Sequence, residues 1–117
     1  MAKRTLPGTM LESGRPVWQP LLDLVGEPLV EWFMWMFALE LADRSRVHAY
    51  KHVATPRYFH LGEDGRAFAY RSEGRYLEIS PREAIDEAFT GWEDLLPQPS
   101  DPDAVRVALR RARRACG

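Results

Sequence analysis

The sequence is poor in cysteine, in lysine and in uninterrupted apolar stretches, and each shortage excludes something. A single cysteine, Cys116, cannot close an intrachain disulfide, which argues against a stapled secreted scaffold and for a reducing compartment. The most apolar run, Leu29 to Leu41, is broken by Glu31 and Glu40 and is too short to span a bilayer. The opening MAKRTLPGTMLESGRP has two early cations but no apolar core, so no secretory signal is expected. A net charge of −1 gives no global pull toward nucleic acid or acidic membranes. Glycine-rich phosphate loops, G-x-S-x-G and H-E-x-x-H are all missing, so no cofactor is expected. Together these features suggest a cytoplasmic protein with no membrane association.

What remains is an ordinary globular composition, with 45% hydrophobic and 28% charged residues in a chain of 117. That length suits one domain able to bury roughly two-thirds of its unfolded surface. Residues 1–17, with Pro7, Gly8, Gly14 and Pro16 and little periodicity, read as a flexible N-terminal arm, and residues 18–117 as a single α+β domain. Residues 18–33 suggest two short helical pieces divided at Gly26 and Pro28.

The segment MWMFALELA is rich in helix formers but also alternates. Trp35, Phe37, Leu39 and Leu41 fall on one side and Met34, Met36, Ala38 and Glu40 on the other. A strand is the preferred reading, because ADRS then makes a hairpin with RVHAYKH. Further alternation in RYFHLG, RAFAYR and RYLEIS, separated by the turns GEDG and SEG, extends the pattern.

The period then changes. Ser80, Pro81 and Glu83 spell a capping box, followed by Ala84, Ile85, Ala88, Phe89 and Trp92 at helical spacing. A last helix starts at Ser100 or Asp101 and turns Val105, Ala108, Leu109, Ala112 and Cys116 to one side. The expected fold is therefore α+β: an antiparallel meander of four or five strands, a short helical N-terminal region, and two C-terminal helices packed on one face.

Candidate functional residues concentrate in RVHAYKHVATPRYFHL, residues 46–61, which holds all three histidines. On a helix His48 and His52 could share a metal, but on a strand they stand about 13 Å apart, so no metal site is expected. With Val47, Ala49, Phe59 and Leu61 turned to the helices, the other face would collect His48, Tyr50, His52, Tyr58, His60 and Tyr76, edged by Arg57. Aromatics on a sheet bordered by arginine can stack bases or peptides. The plainer alternative is that Tyr and His simply cover a wet sheet face.

Charge is uneven along the chain. Residues 46–76 carry +3, residues 77–103 carry −7, and residues 104–117 carry +5. The basic helix presents Arg106, Arg110, Arg111, Arg113 and Arg114 as an anion-binding set, unless the acidic helix before it neutralises them. The leading expectation is a small non-catalytic module that binds a protein or nucleic-acid partner through the Tyr/His/Arg face. The alternative is a compact ribonuclease or phosphodiesterase using His52, His60, Lys51 and Arg57. The oligomeric state is left open, a homo-oligomer included.

Overall fold

The alternating middle of the chain closes on itself. The structure, a computed structural model, describes residues 5–12, 14–94 and 101–116. Six antiparallel strands form a closed barrel in sequence order: β1 (Thr5–Met10), β2 (Phe33–Leu41), β3 (Arg46–His52), β4 (Tyr58–Gly62), β5 (Ala67–Tyr70) and β6 (Arg75–Ile79). Three helices accompany them: α1 (Gln19–Val25) between β1 and β2, then α2 (Pro81–Ala88) and α3 (Pro102–Ala115) after β6.

The expected open meander of four or five strands is thus corrected to a closed barrel of six. The strand missed is β1, in residues assigned to a loose arm. TLPGTM has Pro7 and Gly8 in its middle and no alternation, so nothing local signals a strand. It forms because both of its edges are paired. Thr5, Leu6 and Pro7 oppose Leu77, Tyr76 and Arg75 of β6, while Gly8, Thr9 and Met10 oppose Leu41, Glu40 and Leu39 of β2. Pro7 has no N–H to give, but its carbonyl accepts from Ala42 N at 2.9 Å. Residues 1–4 and 13 of the predicted arm, and Ser100, lie outside the described residues.

Cross-strand partners share a face of the sheet, so the register sorts the side chains. Tyr50 opposes Phe59, His48 opposes Leu61, and Leu61 opposes Ala67, which opposes Ile79. This outer face meets the helices in one core with Leu21, Trp32, Ile85, Phe89, Val105 and Leu109. The inner face carries Leu39, Leu41, Val47, Phe68 and Tyr76, a small second core inside the barrel. Burying a Leu or Phe of that core contributes about 1.5–3 kcal/mol. Gly8 is required there, because a Cβ would meet Leu39 Cδ1 and Tyr76 Cε2 at 2.9 Å.

Strand β2 appears where the alternation predicted it and pairs with β3. Its faces are not those expected, because Met36 is an extra residue. Trp35 opposes Tyr50 but Phe37 opposes Ala49, a bulge that turns Trp35 outward and Phe37 inward. Trp35 and Phe37 are half-buried, and Leu39 is buried.

The helices follow local chemistry. Pro20 stands in the first turn of α1, and Gly26, at φ 66°, ends it with its N–H on Leu22 O. Pro28 then precedes a 3₁₀ turn, Leu29–Trp32. Ser80 Oγ accepts from Glu83 N at 3.1 Å and the Glu83 carboxylate from Ser80 N at 3.4 Å, the expected capping box. In α3, capped by Asp101, the stripe of Val105, Ala108, Leu109 and Ala112 is buried.

Candidate functional site

The register splits the predicted Tyr/His patch in two. His48, Tyr50 and His52 lie on the outer face beneath the helices, all essentially inaccessible. The expectation of one contiguous, partly exposed patch is corrected accordingly. The parity reading aligned Val47 and Ala49 with Phe59 and Leu61, whereas β4 is registered so that Phe59 and Leu61 stand beside Tyr50 and His48.

Each buried polar group of the outer set is accounted for differently. Trp35 Nε1 donates to His48 Nδ1 at 3.1 Å, so the imidazole proton sits on Nε2, which donates to Glu63 Oε2 at 2.7 Å. Tyr50 donates its hydroxyl to Val17 O, and burial with the nearby Glu63 carboxylate drives its pKa upward. Trp18 packs on the Tyr50 ring at 5.7 Å. His52 Nδ1 accepts from Ala54 N, while Nε2 has no hydrogen-bond partner and the ring sits edge-on among Trp32, Phe33 and Phe89. Burial, then Arg57 and Lys51, lower its pKa.

Tyr58, His60 and Tyr76 belong to the inner face, where the barrel wall opens between β4 and β5. Strands β4 and β5 pair only at His60↔Phe68 and Leu61↔Ala67. Continuing that register would set Phe59 against Ala69, Tyr58 against Tyr70, and Arg57 against Arg71. Instead the strands part, and a cleft of about 380 Å³ lies between them. Two like charges meeting across a ladder disfavour pairing at that end. Arg57 is drawn off to donate to Thr90 O, the exposed carbonyl end of α2.

His60 forms the floor of the cleft. It is 7% exposed and makes no hydrogen bond among the described residues. Tyr58 stacks on it at 5.5 Å and an interplanar angle of 13°, and Tyr76 meets it edge-on at 5.2 Å. Tyr70 stands edge-on to Tyr76 at 5.4 Å, on the other lip. Burial pushes the His60 pKa down to about 4, so the ring is neutral and can both give and accept one hydrogen bond. Arg71 has no side-chain partner among the described residues, and Glu87 of α2 is the single carboxylate lining the cleft.

Tyr70 and Arg71 were missed from the sequence. The signal was available: a hairpin folded about GEDG sets Tyr70 opposite Tyr58 and Arg71 opposite Arg57. The ribonuclease pairing of His52 with His60 is not assembled, because the two rings point to opposite faces of the barrel wall.

The predicted basic set lies mostly together. Arg106, Arg110, Arg113 and Arg114 line a groove between α2 and α3, joined by Arg82, while Arg111 is outside its lining. Arg106 pairs with Asp103 and Glu93, and Arg113 with Asp86. The acidic helix therefore neutralises part of the set.

Among the described residues no helix is long and apolar enough to cross a membrane, and no cluster of His, Cys, Asp and Glu could hold a metal ion. The chain matches no family model, no curated protein and no solved structure.

Proposed function

We infer that the protein is a non-catalytic binding module whose β4–β5 cleft accepts one nucleotide unit of a single-stranded nucleic acid. The observation that carries this reading is the pair of lips, Arg57–Tyr58 and Arg71–Tyr70, over His60, which makes no hydrogen bond among the described residues. Aromatic rings on either side suit a planar base, and a volume near 380 Å³ suits a ligand of that size. Arginines at the mouth suit the attached phosphate, and neutral His60 offers a donor and an acceptor to a base edge. His60 hydrogen-bonds no other described residue, so both of its ring nitrogens are available to a ligand in the cleft.

The reading is tested by titrating the protein with a labelled oligonucleotide and with the corresponding mononucleotide. Tyr58→Ala and Tyr70→Ala should each cost about 1–3 kcal/mol of affinity with the circular dichroism unchanged. Equal affinity in both variants and the parent would remove the cleft from consideration.

A further inference from the structure

The groove between α2 and α3 is lined by none of the cleft's residues. Its floor is apolar: Trp92 and Leu109 are buried, and the Arg106 guanidinium lies 5.6 Å from the Trp92 ring centroid. Its walls are five arginines and Glu93. Two of the arginines have structural employment, Arg106 with Asp103 and Glu93, and Arg113 with Asp86. The remaining three, Arg82, Arg110 and Arg114, have no carboxylate partner among the described residues.

Ordinary helix chemistry does not account for those three. Arg114 in the last turn of α3 favours the negative end of that helix, but Arg110 stands one turn below it, and like charges at that spacing repel. Arg82 is the second residue of α2, where the helix dipole disfavours a cation. Three cations from two helices thus line one groove without a paired carboxylate of their own among the described residues, and Glu93 is the single acidic residue in its lining. Glu87 and Ala84 line the strand cleft whereas Arg82 lines this groove, so α2 separates the two sites.

We propose that Arg82, Arg110 and Arg114 form a phosphate-binding groove for the backbone of a nucleic acid. An anion there relieves the like-charge repulsion, and the fork of each guanidinium matches two phosphate oxygens. A groove of about 550 Å³, open along the helices, suits a passing backbone rather than an enclosed small molecule.

The test is the salt dependence of binding to a labelled oligothymidylate, measured by anisotropy. Each single-strand phosphate contact contributes about 0.7 to the slope of log affinity against log salt. The triple variant Arg82→Gln, Arg110→Gln, Arg114→Gln should flatten that slope by about two. Arg111→Gln, the loss of one charge on the same helix outside the groove, should leave the slope within error of the parent, whereas Arg110→Gln alone should flatten it by about 0.7. Tyr58→Ala and Tyr70→Ala should lower affinity without changing the slope, which separates failure here from failure of the cleft reading. An unchanged slope in the triple variant, or an equal effect from Arg111→Gln and Arg110→Gln, overturns the proposal. So does an oligoglutamate peptide that displaces the oligonucleotide at equal charge concentration, since the groove would then serve an acidic protein.

Discussion

Trp35 gives its indole N–H to His48 Nδ1, and that one contact fixes which nitrogen of the imidazole carries the proton. With Nδ1 occupied as an acceptor, Nε2 must donate, and Glu63 is there to receive it. The bond also fastens β2 to β3 next to the bulge and ties both to the β4–β5 turn. In nitrogen NMR at neutral pH, His48 should show an unprotonated Nδ1 and a protonated Nε2. Trp35→Phe should cost about 1–3 kcal/mol by leaving a buried acceptor unmet. A doubly protonated His48 in the parent would contradict the arrangement.

His60 should make stability depend on pH. Its folded pKa is near 4 against an ordinary 6.5, so between those values the unfolded chain binds more protons and stability rises with pH. The contribution is complete above about pH 6.5 and is lost as pH falls to about 4, amounting to roughly 3 kcal/mol. His52 acts in the same direction. Urea unfolding at pH 7 and pH 4.5 measures the difference, and His60→Phe should reduce it. The same pH dependence in parent and variant would show that His60 is not the group responsible.

Gly8→Ala should loosen the barrel closure. The added methyl group would press on Leu39 and Tyr76, with an expected cost of about 1–3 kcal/mol. Hydrogen exchange should rise first in β1. Thermal unfolding at the parent's temperature would show that the interior can absorb a methyl group.

Ser80→Ala should cost about 1 kcal/mol, and Ser80→Asp, which keeps an accepting oxygen, should recover most of it. Chemical denaturation of the three proteins decides the point.

Where each residue type had one role, the sequence was easy to read. The capping box, the α3 stripe, the β2–β3 hairpin and the GEDG turn all appear as their chemistry dictates. Two features hid the rest. Strand β3 is buried on both faces, between the barrel interior and the helices, so His48, Tyr50 and His52 look like a polar face but lie under a second layer. The Met36 bulge shifts the register by one residue, which a strict two-residue period does not anticipate. The cleft was half legible: Tyr58, His60 and Arg57 stood out, while Tyr70 and Arg71 became meaningful only through the pairing that β4 and β5 abandon.

The N-terminal strand also dictates a timetable. Thr5 and Arg75, joined side chain to side chain, are 70 positions apart, so β1 is made long before one of its two neighbours exists. On the ribosome the hairpins from β2 to β6 can assemble locally as they emerge, because their partners are adjacent in the chain. Strand β1 must wait, with one edge unpaired, until β6 has been synthesised. Closing the ring is therefore the late, nonlocal event in the life of each new molecule, and the half-made barrel with a bare edge is the form most open to pairing with another chain.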